Sequence, residues 1–295
     1  MSATQQNIFA PTRRSRRRKR VGQIMEVLAT LAALIAVAAL LIVIGSVLKR
    51  GLPALNVDFF TKGPAPFGQE GGGIENAIVG TIYMTAMATI MAVPLGVLLA
   101  IFNTEFAPKW LADAIQLTLN TLAGVPTIVI GVFIFSLLVV NRGQSGFAGA
   151  CGLAVVMLPL VARATEEVLL LVPRPLREGG MALGATRART VITVILPTAV
   201  GGILTATIVA VARAAGETAP LLFTSSIVSN SVVTDPSQAM ASIPLSIFTN
   251  SESPSKHDQA QAWAAALVLI AVVLLGSILG RVLSLRTRRQ IEKAR

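Results

Sequence analysis

Long apolar stretches separated by short polar segments dominate this chain. A transmembrane helix needs roughly 20 mostly apolar residues. Charge-free stretches of that length cover Val27–Leu48, Ala77–Phe102, Ala114–Val140, Gly143–Ala162, Thr190–Ala212 and Gln259–Gly280. Only helices and closed barrels satisfy their own backbone in lipid, and these stretches are far too long for barrel strands. The pattern therefore predicts an all-α membrane bundle of six transmembrane helices.

The composition excludes a soluble enzyme and a soluble nucleic-acid binder. Apolar residues make up 54% of the chain and charged residues only 13%, with a net charge of +11. A soluble domain is about one quarter charged. The chain has one cysteine, Cys151, and one histidine, His257. It therefore has no internal disulfide, and we expect no metal site built on Cys or His clusters.

The six spans divide the chain into tails, loops and a core. We expect a basic tail (1–26), a first transmembrane helix (27–48), an external Gly/Pro-rich loop (49–74), a five-helix core (75–285) and a second basic tail (286–295). Within the core lie a cytoplasmic loop (173–190) and an external loop (219–258). Two apolar pieces of the external loop are too short to cross a membrane, and their pattern leaves open whether they re-enter it or lie on its surface.

The distribution of basic residues predicts the orientation of the chain. Cytoplasmic loops of membrane proteins carry an excess of Lys and Arg. Most of the 25 Lys and Arg residues fall in the two tails and in loop 173–190. The opposite loops hold only Lys49, Arg50, Lys62, Arg142 and Lys256. We therefore expect both termini to be cytoplasmic.

Two groups of charges interrupt the apolar spans, where charges are costly and mark functional candidates. The first is Arg163 with Glu166 and Glu167, and the second is Arg213 with Glu217. The i, i+3 and i, i+4 spacings place each arginine on the same helix face as a carboxylate. Each arginine could be neutralised by its own glutamate, or the groups could form an anion path. In the second case a carboxylate favours an anion that still carries an O–H, such as phosphate, and repels sulfate.

Loop 173–190 predicts a short amphipathic helix on the cytoplasmic side. Leu183 is apolar, whereas Arg177, Glu178 and Arg187 are charged, and Gly184 is a plausible C-terminal stop. Such a helix suits docking to another protein, and an ordinary interfacial loop is the alternative.

The same loop resembles the coupling motif of ABC importer permeases. That motif reads Glu-Ala-Ala, three residues, Gly, nine residues, then Ile-x-Leu-Pro. Here Glu178 and Gly184 match, and Val194-Ile195-Leu196-Pro197 follow at the right distance. Gly179 and Gly180 replace the two alanines, which weakens a helix by roughly 0.8–1 kcal/mol each. The resemblance implies that Arg177, Glu178, Leu183, Gly184 and Arg187 contact a cytoplasmic ATPase.

A second resemblance is more specific. Arg163-Ala164-Thr165-Glu166-Glu167 and the segment 212–224, which begins Ala-Arg-Ala-Ala-Gly-Glu-Thr, are similar to the A-type permease of the bacterial phosphate-specific (Pst) ABC transporter. The resemblance implies import of inorganic phosphate by a heterodimer with a C-type permease, an ATPase dimer and an external phosphate-binding protein. It also implies that Arg163, Arg213 and Glu217 handle the anion. A permease for sulfate or molybdate, or a stand-alone secondary transporter, remains as an alternative.

The chain lacks a nucleotide-binding P-loop, because none of its lysines follows a glycine. We therefore expect no ATPase site and no cofactor in this chain, and ATP and Mg²⁺ bound by a partner subunit. The expected location is the bacterial plasma (inner) membrane, which the chain crosses several times.

Overall fold

The computed structural model describes residues 13–66, 71–226 and 231–293, and the regular elements of these ranges are helices. The chain forms two compact units, Met1–Lys49 and Arg50–Arg295. The all-α membrane fold predicted from the apolar pattern is thereby confirmed. The second unit carries all the candidate functional residues.

The described part of the first unit is helical and belongs to α1, which spans Arg13–Gly51. It begins well before Val27, so the basic run of the amino tail belongs to the helix and not to a separate segment. Its described apolar side chains between Val21 and Val43 are exposed on all sides of the helix. That distribution is typical of a helix surrounded by lipid.

The second unit contains eleven further helices in its described residues. They are α2 (Val57–Thr61), α3 (Glu75–Ile101), α4 (Lys109–Gly124), α5 (Thr127–Ile134), α6 (Gly146–Leu170), α7 (Arg174–Ala182), α8 (Arg187–Thr190), α9 (Leu196–Ala215), α10 (Ala219–Thr224), α11 (Ile243–Ser251) and α12 (Lys256–Lys293). A 3₁₀ turn (Leu52–Ala54) precedes α2. Three π turns, Phe102–Phe106, Phe135–Val139 and Val191–Ile195, follow α3, α5 and α8.

Within the described residues, five helical segments are long and apolar enough to cross a membrane, and a bent pair of helices brings the number to six if the pair is counted as one span. The bent pair is α4 and α5 with its π turn, which meet at 96°. The sequence predicted one span from Ala114 to Val140, and the structure breaks it at Val125 and Pro126. Val125 is extended (ψ 131°), because a residue before proline disfavours the helical region. Pro126 also lacks the N–H that would continue the helix.

Helix α6 packs against α3 in the centre of the second unit. The core between them contains the buried side chains of Met84, Leu153 and Met157. At Gly96 the two helices come so close that a Cβ would lie 2.9 Å from Cγ1 of Val161. Small residues of this kind allow close backbone approach, which drives helix association in lipid.

The external loop after α9 is tied into the bundle through α10. Pro220 lies between α5 and α6. A Cβ added to Gly131 of α5 would lie 2.8 Å from the Cα of Pro220, and a Cβ added to Gly152 of α6 would lie 3.3 Å from the Cβ of Pro220. The two apolar pieces of the loop form α10 and α11, with Leu221 and Leu245 buried. Because α10 is fixed in this way, the segment between α9 and α10 has a defined position.

Two described parts of this loop, the end of α10 and residues 236–238, cover the beginning of α6. The backbone N–H groups of Ser145, Gly146 and Phe147 donate to the carbonyls of Thr224, Gln238 and Pro236 at 3.1, 2.8 and 2.8 Å. These bonds satisfy donors that a helix start would otherwise leave unpaired. In the same loop, hydrogen bonds from the backbone N–H and hydroxyl of Ser237 lower the pKa of Asp235.

Candidate anion cleft and coupling segment

The first group of in-span charges lies along a cleft of about 130 Å³ between α4 and α6. The polar side chains that line it are those of Gln116, Asn120, Arg163, Glu166 and Glu167. Cationic, acidic and amide groups thus meet in one narrow space within the membrane bundle. Such a combination can recognise both the charge and the hydrogen-bonding pattern of a small anion.

Two amides hold the buried carboxylate of Glu166. Asn103 in the π turn after α3 donates from Nδ2 to Glu166 Oε1 at 3.0 Å, and Gln116 on α4 donates from Nε2 to the same oxygen at 2.7 Å. The carboxylate is buried, so these hydrogen bonds compensate part of its lost hydration. Because both donors reach Oε1, the other carboxylate oxygen keeps its lone pairs for a ligand in the cleft.

Arg163 is not neutralised by the glutamates beside it. Within the described residues, neither Glu166 nor Glu167 forms an ion pair with Arg163. Arg163 and Glu167 are both exposed on α6, whereas Glu166 is turned into the contact with α4. The pairing that the helical spacing allowed is therefore absent here, and the Arg163 guanidinium is available to an anion or to a partner protein.

The second group does form the ion pair that its spacing allowed. Arg213 Nε lies 3.7 Å from Glu217 Oε1, with exposed fractions of 64% and 16% for the two side chains. Glu217 follows the end of α9 in a tight turn, in which its N–H donates to the Ala214 carbonyl at 3.1 Å. At 3.7 Å this contact through Nε is an ion pair and not a hydrogen bond. The paired donors Nη1 and Nη2 remain suited to two oxygens of one oxyanion.

Both arginines lie towards the C-terminal ends of their helices, and these ends are on opposite sides of the bundle. Arg163 is seven residues before the end of α6, on the order of 10 Å from the side of the bundle that carries α7. Arg213 is two residues before the end of α9, about 3 Å from the opposite side. Consecutive spans cross in opposite directions, so an anion would meet these two residues in succession.

The predicted amphipathic helix of loop 173–190 is present as α7, and four of the five candidate coupling residues are exposed. They are Glu178, Leu183, Gly184 and Arg187. Leu183 is 91% exposed, an unusual position for a leucine on the polar side of a membrane protein. Together with the half-exposed Met181, it forms an apolar surface that suits a protein partner.

Gly184 ends α7, as the sequence predicted. Its φ of +81° is a conformation that other residues rarely adopt. The N–H of Gly184 donates to the Met181 carbonyl at 2.9 Å, and the N–H of Ala185 donates to the Gly180 carbonyl at 3.3 Å. These two bonds are the C-terminal capping pattern of a helix that ends in a left-handed glycine.

The structure gives a reason for one of the glycines that replace the alanines of the motif. A Cβ on Gly180 would lie 2.7 Å from Cγ2 of Thr190, so glycine lets α7 pack closely on the end of α8. Gly179 has nothing within 4 Å of its Cβ position and faces open space. No steric contact accounts for glycine at that second position.

Arg177, the fifth candidate coupling residue, is turned into the protein. Its Nη2 donates to the Leu169 carbonyl at 2.6 Å. The same atom lies 3.1 Å from Glu105 Oε1, and the two form an ion pair whose geometry is not that of a hydrogen bond. The side chain of Glu105 is only 5% exposed. Glu105 was not among the residues that the sequence pattern singled out. A lone carboxylate inside Phe-Asn-Thr-Glu-Phe, directly after a span, was the signal that pointed to it.

Arg187 also contacts the turn that holds Glu105. Its guanidinium carbon lies 5.9 Å from the centroid of the Phe106 ring. That distance is within the range of a cation–π contact. Both helices of the coupling segment are thus connected to the π turn Phe102–Phe106.

Comparison with known proteins agrees with this arrangement of spans and loops. Residues 92–289 match the model of a family described as binding-protein-dependent transport system inner membrane component. The chain belongs to this family.

Relatives with more specific names cover most of the chain. A phosphate transport system permease protein PstA of Yersinia pestis is 38% identical over 247 residues, which are 83% of each chain. A probable phosphate transport system permease protein PstA of Methanocaldococcus jannaschii is 39% identical, covering 80% of this chain and 83% of the relative. These matches confirm the resemblance drawn from the motifs of Arg163 and Arg213.

Solved structures with low sequence identity share the fold. An inward-facing MetNI methionine ABC transporter matches with a TM-score of 0.57 at 20% identity, covering 73% of this chain and 94% of that one. A bacterial ABC transporter involved in alginate import matches with a TM-score of 0.63 at 17% identity, covering 92% and 99%. At these identities the comparison supports the permease fold alone.

The ion pair between Arg177 and Glu105 yields a stability prediction. Arg177→Met should leave a buried, unpaired carboxylate and lower the free energy of unfolding by about 3–5 kcal/mol. Adding Glu105→Gln should restore most of the loss, because the buried charge is then gone. Thermal unfolding of the purified protein in detergent measures both. A double variant as unstable as Arg177→Met would show that the pair contributes through packing and not through charge.

Proposed function

We propose that this chain is the permease subunit of an ATP-driven importer that moves inorganic phosphate from outside into the cytoplasm. The observation that carries this proposal is the exposed guanidinium of Arg213, which pairs loosely with Glu217 at 3.7 Å, in a chain whose relatives are named phosphate transport permeases. The free ends of the guanidinium can bind two oxygens of a phosphate ion. Arg163, on the other side of the bundle, can bind the same ion further along its path.

The carboxylates in the path serve selectivity. Phosphate near neutral pH keeps at least one O–H, which a glutamate oxygen can accept, whereas sulfate has none to donate. Glu217 beside Arg213, and Glu166 and Glu167 beside Arg163, therefore disfavour a fully ionised oxyanion. This argument supports phosphate over sulfate or molybdate.

The partners follow from the family and from the exposed surfaces. We infer a heterodimer with a C-type permease, two copies of a cytoplasmic ATPase that bind ATP and Mg²⁺, and an external phosphate-binding protein. Leu183 and Glu178 form the surface that the ATPase would cover. The exposed coupling segment argues against a stand-alone secondary transporter, which has no use for an ATPase-docking surface.

We also propose that both termini are cytoplasmic, on the basis of the Lys and Arg distribution. In a Cys151→Ala background, a cysteine at Ser237 should react with an impermeant thiol reagent added to intact cells, because it lies in the external loop. A cysteine at Ser284 should react only after the membrane is opened. Labelling of Ser284 from outside would reverse the proposed orientation.

Substitutions at Arg213 and Glu217 test the substrate path. Arg213→Gln removes the charge and should abolish phosphate uptake, whereas Arg213→Lys should recover only part, because an ammonium lacks the paired planar donors. Glu217→Gln should reduce uptake and make it sensitive to competing sulfate, because an amide donates as well as accepts. Labelled phosphate uptake, with sulfate and molybdate as competitors, measures each variant.

The matched control is Arg142→Gln, which removes an exposed arginine outside the spans and should transport like the parent. Wild-type uptake in assembled Arg213→Gln and Glu217→Gln would show that their ion pair is only structural. Stronger competition by sulfate or molybdate than by unlabelled phosphate in the parent would assign another substrate.

Substitutions at Gly184 test the coupling segment. Gly184→Val should reduce both ATPase association and uptake, because a β-branched residue resists the φ of +81°. Gly184→Asn should retain much more of both, because asparagine tolerates this conformation. Co-purification of the ATPase with the permease gives the first readout and uptake the second. Equal behaviour of the two variants would mean that the backbone conformation of Gly184 is not what docking requires.

A further inference from the structure

The π turn Phe102–Phe106 connects two parts of the molecule that are far apart in sequence. Its defining bond runs from the Ala107 N–H to the Phe102 carbonyl at 2.8 Å. Such wide turns are rare and occur often at functional sites. Asn103 and Glu105 are both buried in it, with exposed fractions of 7% and 4%. Residues two apart on a helical turn point to different sides, so the turn can contact two neighbours at once.

One side of the turn reaches the anion cleft. Asn103 Nδ2 donates to Glu166 Oε1 at 3.0 Å. The Glu166 carboxylate lines the cleft beside Arg163. A displacement of Asn103 would therefore change the orientation of a carboxylate that faces the ligand space.

The other side of the turn reaches the coupling segment. Glu105 pairs with Arg177 of α7 at 3.1 Å, and the ring of Phe106 lies under the guanidinium of Arg187 next to α7. Separating Glu105 from Arg177 would leave a carboxylate unpaired in a site that is almost closed to water, which is strongly unfavourable. The turn and α7 are therefore expected to move together.

We propose that the π turn Phe102–Phe106 transmits motion between the ATPase-docking segment and the anion cleft. In this proposal Glu105 and Asn103 are positioning residues. Glu105 holds the turn to α7, and Asn103 sets the orientation of Glu166. When the ATPase moves α7, the turn moves with it and the hydrogen bond from Asn103 to Glu166 is altered. The affinity of the cleft for the anion therefore changes during the ATP hydrolysis cycle. This inference rests on the proposed function as the permease of an ATP-driven importer.

Gln116 provides a matched comparison with Asn103. Both amides donate to the same oxygen of Glu166, at 2.7 and 3.0 Å. Gln116 lies on α4, and within the described residues its side chain hydrogen-bonds to Glu166 alone, whereas Asn103 shares its turn with Glu105 and Phe106. Removing either side chain deletes one hydrogen bond to Glu166. Only the Asn103 change also breaks the connection between the cleft and α7.

The test is the number of phosphate ions moved per ATP hydrolysed, measured in proteoliposomes that contain the complete transporter and its external binding protein. Asn103→Ala should lower this ratio about tenfold, the effect expected for one hydrogen bond to a charged group. ATP hydrolysis stimulated by the phosphate-loaded binding protein should continue. Gln116→Ala also removes a hydrogen bond to the cleft carboxylate, so it should lower uptake and stimulated hydrolysis in proportion and keep the ratio of the parent. Glu105→Gln should lower the ratio as Asn103→Ala does.

Three results would overturn the proposal. The first is a parallel loss of hydrolysis and transport in Asn103→Ala, and the second is parent-like behaviour. The third is an equal fall of the ratio in Gln116→Ala, which would assign the effect to Glu166 alone. If Asn103→Ala does not assemble, amide hydrogen exchange of the parent complex decides. ATP binding should change exchange in 102–106 together with 174–190, and a response of 174–190 alone would refute the link.

These outcomes are distinct from a failure of the proposed function. If the parent complex moves no phosphate when ATP is supplied, the substrate or the energy source is wrong, and the variants are not informative about phosphate. If the parent transports phosphate and the ratio in Asn103→Ala equals that of the parent, only the transmission role of the π turn is refuted.

Discussion

A charged or hydrogen-bonding group inside a membrane bundle must find its partner within the protein, and the functional part of this chain follows from that constraint. Water is not available to solvate an isolated buried carboxylate. Glu166 accepts hydrogen bonds from an amide of α4 and from one in the π turn after α3, and Glu105 forms an ion pair with a guanidinium of the coupling segment. Each buried charge thus fixes one element to another. The polar contacts that make the charges tolerable also connect the anion cleft to the surface where an ATPase would dock.

The breaks in the helices have a related origin. The bend at Val125 and Pro126 separates α4 from α5, so that α4 can present Gln116 to α6 while α5 receives Pro220 of the external loop. A straight third span could not make both contacts. The π turn after α3 likewise places two buried polar residues on different sides. Arg213 and Arg163, in contrast, remain accessible, as residues that meet a transported ion must.

The sequence predicted the approximate span positions and the stop at Gly184, and it placed Arg213 and Glu217 on one helix face, because these features depend on local spacing. It could not predict which partner each buried charge would choose. The helical spacing allowed Glu166 to pair with Arg163. Instead, Glu166 accepts hydrogen bonds from Asn103 and Gln116, which are 63 and 50 residues away in the sequence. Arg177 was grouped with the exposed coupling residues, and only tertiary packing turns it towards Glu105. Contacts across long sequence separations carry no periodic signal, so the π turn was not recognised before the structure was available.

The central claim is that this chain conducts phosphate only under the control of an ATPase. The most direct measurement is labelled phosphate accumulation in proteoliposomes loaded with ATP and Mg²⁺, with and without the ATPase subunit, in the presence of the external binding protein. The account predicts accumulation only when all subunits and ATP are present, and no response to a proton gradient alone. Accumulation driven by a proton gradient in vesicles that lack the ATPase would contradict it.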